Sequence, residues 1–280
     1  MNKTITARRA ALGATALSAL LAVAAPAHAA SGPIKIGVIG EASSVAGASI
    51  INAAKMAADD INAHGGVNGR KIQIIAYDDH SSASDAVHAF QRAVTQDKVK
   101  AVVASYISEV ALALEPWAAR LHMPMITPGA ASNDISKHVH ENYAQNKYTF
   151  HGWLTSTFIA QSICDFDHDT LVKDFHMTST VIMSEDAAWT IPLDEEYLKC
   201  LPAAGLKVLD HIRLSPDTTD FTPIFNKIEG EKPDVIVHRH QPCRRAADSA
   251  VAAAAGADAN VRCVQSGHQQ YLLEGHQRRD

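Results

Sequence analysis

The sequence predicts an α/β fold with two lobes, each built on a parallel sheet, and a ligand cleft between them. Residues 34–40, Ile-Lys-Ile-Gly-Val-Ile-Gly, form an apolar run that ends in glycine, which is typical of a buried parallel strand. Strand-like and helix-like segments then alternate as far as residue 237, which indicates right-handed β-α-β units. The alternation restarts near residue 151, and that restart predicts the second lobe.

The first 30 residues are expected to be a secretory signal peptide. Basic side chains precede an apolar stretch over residues 12–25, and residues 27–29, Ala-His-Ala, have the small-x-small pattern of a cleavage site. The apolar stretch is too short to cross a bilayer, and Pro26 follows it, which argues against a membrane anchor. We therefore expect the mature chain to be periplasmic.

Composition excludes one class of partner. The formal net charge is −5, and no basic stripe runs through the chain, which argues against nucleic acid.

An exported chain with four cysteines raises the question of disulfides. Cys164 and Cys200 lie in the part of the chain with regular β-α alternation. The sequence leaves two alternatives open for them: a disulfide bridge, or two buried free thiols.

The first lobe, residues 31–150, is predicted to contain five strands and three helices. Residues 64–71 are rich in glycine, but they close a helix and open a strand, the reverse of the order in a phosphate-binding loop. Ser108 is expected to be the N-cap of the third helix. The predicted strands are 34–40, 71–77, 100–104, 123–127 and 146–150, and the helices are 46–63, 84–95 and 108–121.

The second lobe, residues 151–237, is predicted as a further series of alternating helices and strands. Loops at the carboxyl ends of parallel strands form the ligand crevice of such sheets, so the functional residues are expected there. The predicted helices are 158–175, 191–201 and 221–228, and the predicted strands are 179–183, 206–212 and 234–237.

Several motifs resemble one protein family when their order and spacing are taken together. Ile34–Gly40, Ala57–Ala63 with the glycine-rich Gly65–Lys71, Tyr77-Asp78-Asp79 and Met125–Ala130 closely resemble the leucine/isoleucine/valine-type periplasmic solute-binding proteins of ABC transporters. The resemblance covers about residues 34–237. It implies a type I periplasmic binding fold: two Rossmann-like lobes that close over a small ligand and deliver it to a membrane ABC permease. It implies no enzymatic activity and no cofactor.

The resemblance also implies the ligand contacts of the first lobe. Ser108 matches the serine that holds a ligand carboxylate, and Gly129 and Ala131 match the loop that meets the ligand ammonium. The family usually has threonine or serine where this chain has Ala131, and Ser132 is the candidate substitute. A carboxylate is well held by hydroxyl and N–H groups at a helix N-terminus. Whether the solute is a branched-chain amino acid, an amide or an aromatic acid stays open.

Three further residues are expected to face the ligand. Trp189 falls where the family has a tyrosine that closes over the ligand from the second lobe, and an aromatic side chain buries much ligand surface. Tyr106 and Glu41 lie on loops that follow predicted strands, where solvated loop residues are the alternative.

Residues 238–280 differ in composition from the rest of the chain. They contain no Lys, Ile, Phe, Trp or Thr and are rich in Arg, Ala, His and Gln. Codons can be chosen for residues 238–245 that encode Thr-Gly-Ile-Ser-His-Val-Gly when they are read one nucleotide later. We therefore expect a frameshifted tail and a second lobe cut short near Val237, with binding inactivated by that truncation. A divergent but genuine C-terminal segment is the alternative.

Two other functional classes stay open beside the solute-binding one. A ligand-sensing receptor module would share the same fold, and an exported α/β hydrolase would need a nucleophile elbow, but the sequence has no G-x-S-x-G motif. Asp165–Asp169 alternates acidic residues as a calcium loop does but lacks the following glycine and the distal glutamate. An acidic turn is preferred there, and no metal site is expected.

Overall fold

The computed structural model of the chain describes residues 32–239, 260–266 and 268–274. The expected signal peptide and the helix considered at residues 246–255 lie outside the described residues. Two five-stranded sheets form two lobes, and the described chain passes from the first to the second at residues 152–155. None of the described helices is long and apolar enough to cross a membrane.

The first lobe has a fully parallel sheet of strand order β2-β1-β3-β4-β5. Its five strands confirm the predicted ones with small shifts at the ends. The strands are β1 Ile34–Ile39, β2 Ile72–Tyr77, β3 Ala101–Ala104, β4 Met125–Thr127 and β5 Thr149–His151. The helices are α1 Val45–Ala63, α2 Ala83–Thr95, α3 Ser108–Arg120, α4 Asn133–Glu141 and α5 Tyr143–Asn146, of which α4 and α5 were not predicted.

Local chemistry accounts for both ends of α1. Ser44 is the N-cap, and its Oγ accepts a hydrogen bond from the N–H of Gly47 at 3.0 Å. After the helix, Gly66 has φ +78°, and a Cβ there would lie 2.1 Å from the carbonyl oxygen of Arg70. Only glycine fits that turn, so the prediction that the glycine-rich segment ends a helix is confirmed.

The second lobe has strand order β7-β6-β8-β10-β9, with β6, β7 and β8 parallel and the last two strands antiparallel. The predicted second β-α series is confirmed, whereas strands β9 and β10 were not predicted. The strands are β6 Ser179–Glu185, β7 Lys207–Leu214, β8 Val235–Arg239, β9 Asn260–Ser266 and β10 His268–Glu274. The helices are α6 Ser156–Phe166, α7 Thr190–Ala204 and α8 Thr222–Glu231, and a π-helical segment Asp167–Asp174 continues α6.

Two predictions about the second lobe differ from the structure. The preference for an acidic turn at residues 165–169 is wrong: the segment lies within the predicted helix 158–175, which the structure contains as α6 and its π-helical continuation, and Asp167 there is fully buried. Strand β8 continues two residues past Val237 through the buried His238 and Arg239, and Arg239 Nε donates to Tyr197 Oη at 2.8 Å. The frameshift hypothesis for the tail stays a prediction.

Cys164 on α6 and Cys200 on α7 form a disulfide, with their Cα atoms 5.9 Å apart. Of the two alternatives that the sequence left open, the structure contains the bridge. The bridge joins two helices that pack on the same side of the second sheet, in a core with Ile163, Leu193 and Leu201.

One face of the first sheet is covered unevenly. Helices α2 and α3 bury one face, with Phe90 and Leu114 at its centre. On the opposite face Val38, Val103, Ile126 and Phe150 stand in register across β1, β3, β4 and β5, and we call these four residues the apolar row. Val38 is 0% exposed, Ile126 42% and Phe150 54%. Because α1 packs on β1 and β2, no described helix covers the β4–β5 end of the apolar row.

Candidate functional site

The candidate cleft lies where loops leave the carboxyl ends of strands. In the first lobe these loops are residues 40–44 after β1, 105–107 after β3 and 128–132 after β4. In the second lobe the corresponding loop is 186–189 after β6. These loops carry six of the seven predicted site residues, and the seventh, Ser108, directly follows the 105–107 loop as the first residue of α3.

Ser108 is fully buried and joins two loops of the first lobe. Its Oγ accepts hydrogen bonds from the N–H groups of Ala131 at 3.2 Å and Ser132 at 3.1 Å. The prediction that Ser108 is a helix N-cap is wrong: it is the first residue of α3, Ile107 holds the cap position, and no side chain caps the helix. The hydroxyl serves the neighbouring loop instead of its own helix.

Ala131 and Ser132 are held by contacts from both lobes. The carbonyl oxygen of Ala131 accepts from the N–H of Ser156 at 2.8 Å and from its Oγ at 2.9 Å. Ser132 caps α4, with its Oγ accepting from the N–H of Asp134 at 3.3 Å. In this cap Ser132 Oγ acts as an acceptor, so the hydrogen of the same hydroxyl can still be donated to another group.

Tyr106, Glu41 and Gly129 form a second group in the first lobe. Tyr106 Oη lies 3.2 Å from Glu41 Oε2 and 3.3 Å from Ser44 Oγ. A Cβ on Gly129 would lie 2.7 Å from Cβ of Tyr106, so this position needs glycine for the two loops to approach. Glu41 and Tyr106 are therefore partnered residues and not solvated loop residues.

The edge of the first lobe beside Glu41 is acidic. Asp78 accepts from the N–H groups of His80 at 2.9 Å and Ala42 at 3.2 Å, and the His80 bond is the main cause of its lowered pKa. Asp79 is fully buried, and this burial raises the pKa of its carboxyl. Hydrogen bonds from Ser81 and Ser105 lower the pKa, but their effect is smaller than that of burial. Carboxyl groups thus lie next to the Tyr106–Glu41 contact.

The loop after β6 presents Trp189 from the second lobe. Its indole Nε1 donates to Glu185 Oε1 at 2.7 Å, and the half-buried ring packs on the core of that lobe. Thr190 Oγ1 donates to the carbonyl oxygen of Glu185 at 2.6 Å, which closes the loop into a tight turn. The orientation of Trp189 is therefore set by residues of its own lobe.

One contact joins this loop to the first lobe. Glu109, in the first turn of α3, accepts a hydrogen bond through Oε1 from the N–H of Ala188 at 2.6 Å. The contact brings the start of α3 next to the residue before Trp189. Sequence reasoning missed Glu109, although its place directly after Ser108 is a signal that could have found it.

A buried ionic cluster behind the loop was also missed. Asp194 on α7 is 2% exposed and accepts from Ser184 Oγ at 2.6 Å and His211 Nε2 at 2.9 Å. Arg213 also binds Asp194, and it reaches Asp186 Oδ1 at 2.8 Å. Because Asp186 belongs to the 186–189 loop, the cluster anchors that loop to β7. Arg213 comes directly after the predicted strand 206–212, and that position was the available signal.

The structure divides the predicted site residues into three places. Ser108, Ala131 and Ser132 are in direct contact, Glu41, Tyr106 and Gly129 form the neighbouring group, and Trp189 belongs to the opposite lobe. Within the described part of the chain, no group of three or more His, Cys, Asp or Glu side chains is arranged to hold a metal ion.

The chain is similar in sequence and in fold to known proteins. The family model described as periplasmic binding protein matches residues 33–271. The Leu/Ile/Val-binding protein BraC3 of Rhizobium johnstonii is 27% identical over 223 residues, which are 79% of this chain and 57% of that relative. The chain therefore spans little more than half the length of this curated relative.

Solved structures show the same fold at lower identity. The branched-chain amino acid transporter substrate binding protein LivJ from Streptococcus pneumoniae, in complex with isoleucine, has TM-score 0.65 and 24% identity. The match covers 74% of this chain and 56% of LivJ. A solute binding protein of an ABC transporter from Rhodopseudomonas palustris BisB5, in complex with 3,4-dihydroxybenzoic acid, has TM-score 0.62 and 22% identity over 73% and 53% of the two chains.

Proposed function

Because its residues 33–271 match the family model, this chain belongs to the periplasmic binding protein family, and we propose that it binds a small carboxylate-bearing solute for an ABC importer. The observation that carries the proposal is the meeting of loops from both lobes. The first turn of α3 supplies Ser108 to the 128–132 loop and Glu109 to the 186–189 loop. A solute held there would touch both lobes.

The proposed orientation of the solute follows from the charges of the cleft. A ligand carboxylate would bind more favourably beside Ser108 than at the other end of the cleft. Ser108 is at the N-terminus of α3, where N–H groups and the helix dipole favour negative charge. The opposite end lies towards Glu41 and Asp78, whose carboxylates favour a cationic group. An amino acid has both groups, so we favour an amino acid over an aromatic acid with no amine.

The residues would act by positioning rather than by chemistry. The Ser108 hydroxyl would donate to the ligand carboxylate, and Gly129 would let Tyr106 and Glu41 reach the amine end. Trp189 would cover the apolar part of the solute, where its ring excludes water. The proposal includes a periplasmic location and a membrane permease as partner, which the membership of the periplasmic binding protein family and the likeness to a solute binding protein of an ABC transporter support.

Ligand-dependent stabilisation tests the proposal. The full chain would be melted with isoleucine, with the deaminated acid 3-methylpentanoate, and with 4-hydroxybenzoate, and the ester p-nitrophenyl acetate would report hydrolysis. We expect a saturable rise in melting temperature that is largest with isoleucine, because a ligand that binds only the folded state stabilises it. No ester turnover is expected.

Two tryptophan variants make the test specific to the cleft. Trp189→Ala is expected to weaken isoleucine binding at least about tenfold through the lost apolar contact. Trp153→Ala, an exposed residue of the connection between lobes, is the matched control and should leave the dissociation constant within about twofold. Equal losses in both variants, or no stabilisation by any solute, would contradict the proposed site.

A further inference from the structure

A second pocket lies at the other end of the first lobe. It has a volume of about 370 Å³ and lies between the C-terminal end of α3 and the segment from α5 to β5. Arg120, His122, Lys147 and Tyr148 line it. Helix α3 starts at Ser108 in the cleft and ends at Arg120, so about 18 Å of helix separates the pocket from the candidate ligand site.

The lining of this pocket has one sign of charge. Arg120, Lys147 and His122 are basic, and no acidic residue is among the lining residues. Neither Arg120 nor Lys147 forms a salt bridge or a side-chain hydrogen bond with another residue of the described ranges. The chain as a whole has a formal net charge of −5, so the basic lining is a local feature.

Aromatic rings set the positions of these cations. The Arg120 guanidinium carbon lies 5.4 Å from the centroid of the Trp117 ring, and Lys147 Nζ lies 5.6 Å from the centroid of Tyr148. The His122 ring packs on Tyr148 with centroids 5.3 Å apart. Because Lys147 and His122 already contact Tyr148, its ring offers little free surface for stacking a planar ligand.

Basic residues at helix C-termini also have a purely structural explanation. Cations there compensate the partial negative charge of the helix end, and Arg120 is in the last turn of α3. That explanation applies to Arg120 on α3 and also to Lys147, which is the C-cap of the four-residue helix α5. It does not account for a concave surface on which cations from two separate elements converge without a carboxylate between them.

We propose that this pocket is an accessory site for a phosphate group. An arginine can bind two phosphate oxygens at once, and a lysine adds a point charge, which together suit a dianion in a hollow too small for a macromolecule. The phosphate can come from a free phosphate ester or from an anionic lipid headgroup at a membrane surface. Both sources present the same oxygens to Arg120 and Lys147.

Inorganic phosphate is the first probe. The full chain would be titrated with phosphate at constant ionic strength, with amide chemical shifts or melting temperature as the readout. We expect saturable binding that Arg120→Gln and Lys147→Gln each weaken at least about tenfold, because each removes a charge-assisted contact. Lys55→Gln on α1 removes an exposed lysine of the same lobe outside the pocket and should change binding less than about twofold.

Vesicles distinguish the two sources of phosphate. Co-sedimentation with phosphatidylglycerol vesicles that both pocket variants abolish would assign the site to a lipid headgroup, and phosphate binding without co-sedimentation would assign it to a soluble phosphate. The proposal is overturned if sodium chloride of equal ionic strength reproduces the phosphate effect, or if Lys55→Gln weakens binding as much as the pocket variants. It is also overturned if those variants lower only the melting temperature of the free chain, as the dipole explanation requires.

Discussion

A single hydroxyl connects the third and fourth strand loops of the first lobe. Ser108 Oγ is the acceptor for two backbone N–H groups, of Ala131 and Ser132, in a place without solvent. A buried N–H group that loses its acceptor carries the full cost of its desolvation. Ser108 Oγ is therefore the acceptor for two N–H groups of the 128–132 loop, beside the contact that Ser156 makes with Ala131.

The first prediction concerns this oxygen. Ser108→Ala should lower the free energy of unfolding by about 1–3 kcal/mol, since it leaves two buried donors unsatisfied. Urea unfolding followed by circular dichroism measures the change. Ser43→Ala, which removes an exposed hydroxyl bonded to Glu41, is the control and should have an effect below about 0.5 kcal/mol. A smaller loss at Ser108 than at Ser43 would contradict the described contacts.

At the level of single residues, the sequence predicted the loops that carry the candidate residues, but it did not assign their contacts. Position after a strand singled out Tyr106 and Glu41, and the family resemblance singled out Ser108. The cap assigned to Ser108 failed because a hydroxyl at a helix start can serve either its own helix or a neighbouring loop. Sequence spacing does not decide between the two. Glu109 was missed because its partner, Ala188, is brought near it only by the approach of the two lobes.

Among the elements, β6 and β8 are joined at their starts by one carboxylate. Asp234 Oδ2 accepts from the N–H and Oγ1 of Thr178 at 2.8 and 3.0 Å, and from the N–H and Oγ of Ser179, both at 3.0 Å. Partial burial opposes ionisation of this carboxyl, but the donated hydrogen bonds outweigh burial and lower its pKa. The two strands therefore depend on an ionised Asp234.

The second prediction is a pH dependence of this contact. A carboxyl whose pKa is lowered in the folded state contributes stability above its unfolded pKa, and the contribution is lost as pH falls through the folded value. Asp234→Asn should destabilise the chain by about 1 kcal/mol at pH 7, and the difference should shrink below about pH 4. Urea midpoints from pH 3 to 7 measure this. Asp59→Asn, exposed on α1, is the control and should change the free energy of unfolding by less than about 0.5 kcal/mol at pH 7.

The third prediction concerns the apolar row of the first sheet. Phe150→Thr should change the free energy of unfolding by less than about 1 kcal/mol, because its side chain is largely exposed, and should reduce self-association. Val38→Thr at the covered end of the same row should cost about 1–3 kcal/mol through a buried hydroxyl. Urea unfolding and sedimentation velocity at several concentrations measure the pair. Equal destabilisation by the two substitutions would refute the uneven cover.

Strands were easier to predict than the small helices between them. Apolar runs such as residues 101–104 are bounded by turns and can be recognised without knowing their neighbours. Helix α4 has only two apolar residues, Ile135 and Val139, of which Ile135 alone is fully buried, so its apolar stripe is very short. The π-helical turn at Asp167 depends on the burial of that carboxylate in the assembled lobe. A local pattern does not contain that information.

For the whole molecule, the fourth prediction concerns the covalent link within the second lobe. Cys164 and Cys200 are 36 positions apart in the sequence, and closing a loop of that size typically adds about 2–4 kcal/mol. Urea unfolding with and without dithiothreitol should differ by that amount. The double variant Cys164→Ala/Cys200→Ala should be insensitive to the reductant. The intact mass under oxidising conditions should be lower than after reduction by the mass of two hydrogen atoms. Equal masses would contradict the bridge.

The fold class could be read from the sequence because β-α alternation is a property of the whole chain rather than of any one segment. The first sheet ends with β5, and α6 is the first helix after it. The antiparallel β9–β10 pair lies in the compositionally different tail and could not be anticipated from the alternating pattern. Its pairing with β8 depends on a sheet edge that exists only after the second lobe has formed.

Each sheet is made from strands that are consecutive among the described ones: the first sheet uses the five strands within residues 34–151, and the second uses the five described strands that follow from residue 179. Each strand of the first sheet pairs with strands one or two positions away in the chain, so this sheet needs no residue of the second lobe. A domain of this kind can fold as soon as its last strand has been made. The first lobe would thus be complete while the second is still emerging, and the order of synthesis becomes the order of assembly.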